Sequence, residues 1–197
     1  MVKIHLYPGL VRVKVIGKDN FPKKETYIVC PNHSSYLDII LMYLIIPIEF
    51  TFLGKAEVLK WPILNIFFKR GIDIPVYRDS VKRAKECIDL SVLALEKGRV
   101  VAMFPEGGME RYKSLRSFKN GAFSLAIQTK APIVPITFKN NFDLFTDHSH
   151  FNGFCRPGIA RVVIHEPIYT NMFTEKDLIS LKENTFEIIK KELADED

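Results

Sequence analysis

Short β-branched segments alternate with longer helical segments along this chain, and that alternation constrains the fold more than any other feature. Apolar runs rich in Val and Ile have the length of strands, whereas most segments between them have the length of helices. Alternating strands and helices predict an α/β sandwich with a largely parallel or mixed central sheet flanked by helices. The predicted strands are 11–16, 27–30, 50–53, 72–76, 99–104, 133–138 and 160–165, and the predicted helices are 35–46, 61–69, 81–97, 121–129 and 174–194.

Edges and loops of this sheet are also indicated by the sequence. Residues 11–16 alternate Val with mostly charged side chains, a pattern that we interpret as an edge strand. Pro75 places the strand at 72–76 at a sheet edge or near a strand end. Residues 139–158 are predicted to be a long loop. Because the chain has 197 residues and no repeat or flexible linker, we expect a single domain over 1–197.

The cysteines and the apolar segments narrow the class of protein. Cys30, Cys87 and Cys155 are odd in number and widely spaced, so we expect a reducing compartment and neither disulfides nor a zinc site. The N-terminus lacks the apolar run of a signal peptide. No apolar stretch reaches the ~20 residues that cross a bilayer. We therefore expect a chain that does not span a membrane and binds no metal.

Positive charge is concentrated in one part of the sequence. The formal net charge is +5, and basic residues outnumber acidic ones between Lys55 and Lys85. Such a surplus suits partners that carry phosphate: an anionic membrane, a nucleic acid or a phosphorylated substrate. A solvated helix face is the alternative for any single lysine. Because no nucleic-acid-binding module accompanies the charge, we expect no nucleic-acid partner.

Two predicted loops carry residues that are suited to catalysis or substrate binding, and His33 lies in the first. Active sites of open α/β sheets lie in loops beyond the carboxyl ends of strands. Asp38, at the start of the next helix, is placed to hold one imidazole nitrogen of His33, so that the other nitrogen accepts a proton. A hydroxyl nucleophile needs such a base at neutral pH. The alternative is that Asp38 only caps the helix opened by Ser35 and that His33 bonds to backbone.

The second loop contains Glu106, Gly107 and Gly108. Two glycines after a strand let backbone N–H groups approach an anion or a developing oxyanion, and Glu106 is a candidate acceptor for substrate hydroxyls. Between the two loops, Arg78 follows a strand and is placed to bind a phosphate with two N–H groups. The alternatives are a plain Gly-Gly turn and a surface arginine.

In order and spacing, these blocks resemble the glycerolipid acyltransferase family, especially bacterial 1-acylglycerol-3-phosphate acyltransferases. That family's pattern is N-H-x-x-x-x-D, a strand ending like I-P-V-x-R, then F-P-E-G and an apolar V-P-I block. The resemblance covers about residues 27–168. The matching residues are Asn32-His33 with Asp38, Ile74-Pro75-Val76 with Arg78, Phe104-Pro105-Glu106-Gly107, and Val134-Pro135-Ile136, with Phe118–Phe123 similar to the family's F-K-x-G-A-F.

The resemblance implies an O-acyltransferase of phospholipid biosynthesis. His33 is then the general base that deprotonates a lysolipid hydroxyl, and Asp38 orients it. The acyl group comes from acyl-CoA or acyl carrier protein as co-substrate, with no acyl-enzyme and no bound cofactor. The substrate-binding residues that the resemblance implies are Lys55, Arg78, Glu106, Gly107, Gly108 and Arg111.

Two departures from the family's pattern leave alternatives open. Where the third block often reads F-P-E-G-T-R-S, this chain has Met109 in place of a phosphate-binding arginine, for which Arg111 or Arg116 can substitute. A phosphate-free lyso-aminolipid is therefore an alternative acceptor, and a non-catalytic membrane-surface lipid-binding protein is an alternative function. Many relatives also carry apolar anchoring helices before the first strand. Without them, we expect peripheral or monotopic attachment at the cytoplasmic face of the cell membrane, through 36–52 and 58–68 unless these pack in the core.

Overall fold

The computed structural model describes residues 2–6, 11–55, 73–76, 81–109, 115–146 and 154–195, and these form an α/β sandwich as predicted. Most strands and helices lie within a few residues of their predicted positions. The strands are β1 Val2–Leu6, β2 Val11–Ile16, β3 Ile28–Pro31, β4 Phe50–Lys55, β5 Ile74–Val76, β6 Val100–Met103, β7 Ile133–Phe138, β8 Phe145–Thr146, β9 Phe154–Cys155 and β10 Gly158–Ile164. The α-helices are α1 Tyr36–Ile45, α2 Val81–Glu96, α3 Gly121–Thr129, α4 Asn141–Leu144 and α5 Leu178–Ala194.

One mixed sheet contains eight of the described strands, in the order β1-β2-β10-β7-β3-β6-β4-β5. The five strands from β7 to β5 are mutually parallel. Strand β10 runs antiparallel to β7 and parallel to β2, and β1 pairs with β2 in the antiparallel sense. The carboxyl ends of β7, β3, β6, β4 and β5 therefore all lie at the same edge of the sheet.

Helices cover both faces of the sheet and bury two apolar clusters. On one face, α1 packs Leu41, Met42 and Ile45 against β2, β3 and β7. On the other face, α2 packs against β5 and β6, α3 against β3 and α5 against β7, and Phe123 and Leu181 are fully buried in this cluster. Each such side chain, fully buried, contributes about 1.5–3 kcal/mol to folding.

Helix ends follow the sequence signals closely. Helix α1 ends at Ile45, just before Pro47, because a proline disfavours helical backbone in the residue before it. Helix α2 is followed by Gly98, whose φ of 80° lies in the left-handed region that ends helices. A 3-10 turn over Glu175–Asp177 with a capping box between Thr174 and Asp177 precedes α5.

Two predictions about the sheet and its loops were wrong. Strand β2 is not an edge strand, since it pairs with both β1 and β10. Its alternating pattern reflects one solvent-facing side, not an unpaired edge. Residues 139–158 are not one loop, since they include α4, β8 and β9, which are too short for a periodic pattern to reveal.

Three further predictions concern strand β5, the helix at 61–69 and helices that could span a membrane. Among the described strands, β5 lies at one edge of the sheet, as Pro75 predicted. The helix predicted at 61–69 lies outside the described residues. Within the described ranges, no helix has both the length and the apolar character needed to cross a bilayer.

Candidate active site

The carboxyl ends of β3 and β6 lie side by side, because these strands are parallel neighbours in the sheet. The loop after β3 carries His33, and the loop after β6 carries Glu106. The backbone N–H of His33 donates to Glu106 Oε1 over 2.7 Å. The two loops that the sequence singled out are thus joined directly at one edge of the sheet.

His33 and Asp38 form a buried hydrogen-bonded pair. Asp38 Oδ2 lies 3.0 Å from His33 Nδ1, and the Asp38 side chain is fully buried. Because a carboxylate accepts hydrogen bonds, Nδ1 carries the ring hydrogen and Nε2 is the nitrogen that can accept a proton. The His33 side chain retains a small exposed fraction, 9%. The pair therefore has the arrangement of a general base and the residue that orients it.

Asp38 also caps α1, so the two interpretations of this residue hold together. Its Oδ2 accepts the backbone N–H groups of Ser34 and Ser35 at 2.8 Å each. Ser35 is the N-cap of α1, and the two side chains form a reciprocal capping box. The carboxylate that satisfies the start of the helix is the same one that holds the imidazole.

The imidazole plane of His33 is fixed by packing as well. The ring stacks on Phe104, with 3.8 Å between centroids and an interplanar angle of 8°. Phe52 packs its edge against Phe104 at 5.4 Å. These contacts leave the ring little freedom to rotate away from Asp38. Phe104 belongs to the F-P-E-G block, but the sequence did not indicate that it supports His33.

A third polar residue reaches the pair from the segment after β7. Asn141 Nδ2 donates to Asp38 Oδ1 over 2.7 Å, and Asn141 is fully buried. Asn141 was not predicted as a site residue because it lies in the predicted loop at 139–158. Its position contains a usable signal, since β7 is the parallel neighbour of β3 and residues that follow it lie at the edge where the site forms.

The start of the His33 loop is locked to β7 by Asn32. Asn32 Nδ2 donates to the carbonyl of Phe138 over 3.0 Å, and the N–H of Phe138 donates to Asn32 Oδ1 over 2.7 Å. The side-chain amide thus replaces one backbone pair of a strand ladder just where β3 ends. This pairing explains why an asparagine suits the position before His33.

Glu106 joins two loops through its carboxylate. Oε1 accepts the N–H of His33, and Oε2 accepts the N–H of Arg116 over 2.9 Å. Burial raises the pKa of Glu106, although these two N–H groups act in the opposite direction. Each carboxylate oxygen accepts one backbone N–H group, and these two hydrogen bonds favour the ionised form. The contact with substrate hydroxyls predicted from the sequence stays a prediction; in the structure the carboxylate braces the loops.

Glu106→Gln should lower the free energy of unfolding by about 1–3 kcal/mol, because an amide nitrogen cannot accept the second backbone N–H and leaves it unpaired. Urea unfolding at neutral pH measures this loss. Glu49→Gln is the matched control, because the Glu49 side chain is 85% exposed and pairs only loosely with Arg99 at 3.4 Å. We expect the control to change stability by less than about 0.5 kcal/mol. Equal stability of the two variants would contradict the bracing role.

Gly107 shapes the turn of the second loop. Gly107 has a φ of 74°, in the left-handed region that glycine adopts without strain. Its N–H donates to the Phe104 carbonyl over 3.1 Å and closes the turn. A side chain at this position would meet the stem of Lys119. The Gly107 N–H is thus used inside the turn, and Gly108 follows it.

The remaining predicted binding residues are described only in part. Lys55 ends β4, but its side chain lies outside the described part of the chain, as do Arg78 and Arg111 altogether. Their roles in substrate binding stay predictions. Within the described ranges, no group of three or more His, Cys, Asp or Glu side chains is arranged to hold a metal ion.

Known proteins are similar to this chain in both sequence and fold. A family model described as Acyltransferase matches residues 12–139. A 1-acyl-sn-glycerol-3-phosphate acyltransferase of Borreliella burgdorferi is 28% identical over 197 residues, which is 98% of this chain and 74% of that protein. A chloroplastic one of Arabidopsis thaliana is 32% identical, over 84% of this chain and 46% of that protein.

A yeast relative and a solved structure extend the comparison. The 1-acyl-sn-glycerol-3-phosphate acyltransferase of Saccharomyces cerevisiae is 35% identical, over 83% of this chain and 54% of that protein. This chain thus spans only part of the length of its plant and yeast relatives. The crystal structure of the 1-acyl-sn-glycerophosphate acyltransferase PlsC from Thermotoga maritima aligns with a TM-score of 0.75 at 26% identity, covering 92% of this chain and 70% of that one.

Proposed function

This chain belongs to the acyltransferase family, and from that premise we propose that it transfers a fatty acyl group from an acyl thioester to the free hydroxyl of 1-acyl-sn-glycerol-3-phosphate. The observation that carries the proposal is the His33–Asp38 pair, with Nδ1 of His33 held 3.0 Å from a fully buried carboxylate. The names of the relatives support the choice of acceptor. The donor is acyl-CoA or acyl carrier protein as co-substrate, and no bound cofactor is needed.

In the proposed reaction, His33 first accepts a proton from the acceptor hydroxyl and then donates it to the leaving sulfur. Nε2 takes the proton of the acceptor hydroxyl while the hydroxyl oxygen attacks the thioester carbonyl carbon. The tetrahedral intermediate then collapses, the carbon–sulfur bond breaks, and the leaving sulfur takes the proton from His33. Asp38 stabilises the imidazolium that exists between the two transfers. The products are a new ester and a free thiol, and no acyl-enzyme forms.

Developing negative charge in this reaction needs donors near the F-P-E-G turn. Since the Gly107 N–H closes the turn, the Gly108 N–H is the glycine donor that we assign to the oxyanion. We assign the acceptor phosphate to Lys55, Arg78 and Arg111. The sheet supports the assignment of Lys55, which ends β4, and of Arg78, which follows β5, because these strands end at the edge where β3 and β6 end. Met109 in place of an arginine keeps a phosphate-free lyso-aminolipid as the rival acceptor.

We further propose that the protein meets the cytoplasmic face of the cell membrane through its own surface. Helix α1, which starts beside the candidate base, leaves Ile40 46% exposed, and Ile48 beyond its end is 44% exposed. Ile40, two residues after Asp38, is an exposed apolar side chain near the catalytic pair and suits a substrate that lies in a bilayer, whereas Ile48 lies at the opposite edge of the sheet, just before β4. Residues 58–68, the other predicted contact, lie outside the described part of the chain.

Purified protein offered lysophosphatidate with acyl-CoA or acyl carrier protein should form the diacyl product, detected by mass and matched by release of free thiol. A lyso-aminolipid with the same donors is the parallel arm. Turnover of lysophosphatidate alone supports the proposal, and turnover of the lyso-aminolipid alone replaces the acceptor. Binding to liposomes without consumption of any acyl thioester would overturn the proposed activity and favour a non-catalytic lipid-binding protein.

A further inference from the structure

Asn141 has the environment of a functional residue. Its side chain is fully buried on α4, a single helical turn. Nδ2 donates to Asp38 Oδ1 over 2.7 Å, whereas Oδ1 of Asn141 has no hydrogen-bond partner among the described residues. Buried polar side chains are as a rule held by hydrogen bonds, and the hydrogen bond to Asp38 is the one that the Asn141 side chain makes among the described residues.

We propose that Asn141 is a positioning residue for the reaction proposed above: by holding Asp38 Oδ1, it sets the plane of the Asp38 carboxylate and, through it, the orientation of His33. This inference rests on the proposed function and adds a residue that the sequence motifs do not contain. It assigns Asn141 no contact with substrate.

The geometry of a carboxylate explains why this residue is needed. Rotation of an aspartate about its last side-chain bond is soft and roughly two-fold. Among the described residues, His33 Nδ1 and the N–H groups of Ser34 and Ser35 all contact Oδ2, so they fix the position of one oxygen. The second oxygen needs its own donor before the plane is fixed. Asn141 supplies that donor at 2.7 Å.

Other contacts of the same segment support a bracing role. The Ser35 hydroxyl donates to the carbonyl of Phe145, which directly follows α4. Asn32 exchanges two hydrogen bonds with the backbone of Phe138, at the end of β7. The segment from Phe138 to Phe145 thus contacts the His33 loop before His33, at Ser35 and at Asp38. Asn141 is the member of this set that contacts the catalytic pair itself.

Among the described residues, Glu106 is the charged group that contacts the pair, and further charged groups lie on the segment that carries Asn141. Glu106 approaches from the loop after β6 and contacts the His33 N–H. Asp143 shares α4 with Asn141, and Lys139, just before α4, pairs with Glu192 of α5 at 3.1 Å. All of these remain in place in the variants below. A change in the titration of His33 relative to the wild type therefore reports the change at position 141.

Asn141→Asp tests the inference without relying on turnover. It places a second carboxyl group at hydrogen-bond distance from Asp38, and because two carboxylates this close cannot both be ionised at neutral pH, the two share one proton. We expect the titration of His33, followed by NMR and assigned from its loss in His33→Gln, to become coupled to that of the shared proton and to spread over two steps. Asn140→Asp is the matched control, since the partly exposed Asn140 contacts Ile159 and Arg161. Titration curves with the same midpoint and shape in the two variants would overturn the inference.

Asn141→Ala provides a second readout if the aspartate variant does not fold. We expect kcat per folded molecule to fall about ten-fold with KM unchanged, because a hydrogen bond to a charged group is lost in a residue that does not touch substrate. The Nδ1 proton of His33 should also exchange faster with water. An unchanged kcat with an unchanged exchange rate contradicts the inference. Absence of turnover in the wild type is a failure of the proposed function, and the two NMR readouts still decide the role of Asn141.

Discussion

His33→Ala is expected to lower kcat for acyl transfer by about 10²-fold to 10⁴-fold, the usual contribution of a general base. Without the imidazole, no group at this position takes the proton of the acceptor hydroxyl, and an un-ionised alcohol is a poor nucleophile. The fold should persist, because the His33 backbone N–H that donates to Glu106 remains. Product formation per minute from lysophosphatidate and acyl-CoA, with the folded fraction followed by circular dichroism, measures the effect.

His165→Ala is the control for removing a partly buried imidazole. The His165 ring hydrogen-bonds the Thr137 hydroxyl over 2.8 Å, and burial lowers the pKa of His165. It makes none of the contacts described for the His33 site, so the control should keep its turnover even if it loses some thermal stability. Retention of wild-type kcat by His33→Ala would reject the assignment of His33 as the base. A comparable loss in both variants would indicate damage to the fold instead.

Much of the fold could be predicted because its signals are local. Buried parallel strands such as β3 and β7 are mostly apolar runs, and helices α1 and α2 end just before Pro47 and Gly98. The elements that were missed lack such signals. Helix α4 has four residues, and β8 and β9 have two each, so no periodic pattern could develop. Strand β1 is the exception: Val2–Leu6 does alternate apolar and polar side chains, but it was not assigned as a strand, so the pairing of β2 on both sides was missed.

The candidate site could be predicted only to the level of its motifs. Family resemblance, confirmed by the comparisons, identified His33, Asp38 and Glu106 as residues of one site. It could not show that Glu106 braces two loops or that Phe104 supports the imidazole, because these contacts depend on the packing of neighbouring strands. Asn141 was missed for the same reason: its partner, Asp38, is distant in sequence and adjacent only across β3 and β7.

Asp38 has two roles in the structure, at the start of α1 and beside His33. From the sequence, a capping residue and a catalytic helper were competing explanations. In the structure one oxygen, Oδ2, performs both contacts, since it accepts two backbone N–H groups at the start of α1 and faces His33 Nδ1. Capping and orientation are therefore coupled: the start of the helix holds the carboxylate in the place where the imidazole needs it. This coupling makes a change at Asp38 more damaging than the loss of an ordinary cap.

Asp38→Asn is accordingly expected to lower kcat by about 10³-fold. If the amide oxygen takes the place of Oδ2, the amide of Asn141 must turn over to present its unpaired Oδ1 to the new NH₂ group, and no negative charge remains to stabilise the imidazolium. If the amide is reversed, its NH₂ faces His33 Nδ1 and the N–H groups of Ser34 and Ser35. That arrangement favours the tautomer of His33 with the hydrogen on Nε2, which cannot accept a proton. The first orientation weakens the base and the second disables it.

Asp177→Asn separates the loss of a cap from the loss of the helper. Asp177 forms a capping box with Thr174, with Oδ2 accepting the Thr174 N–H and hydroxyl at 2.8 Å each, and it is exposed to solvent. We expect this variant to lose a little thermal stability and to keep the turnover of the wild type. For Asp38→Asn we expect the unfolding free energy to fall by about 1–3 kcal/mol, since buried N–H groups lose their acceptor. The decisive measurement is kcat per folded molecule in both variants: a loss confined to Asp38→Asn supports the helper role, whereas wild-type kcat in Asp38→Asn reduces Asp38 to a helix cap.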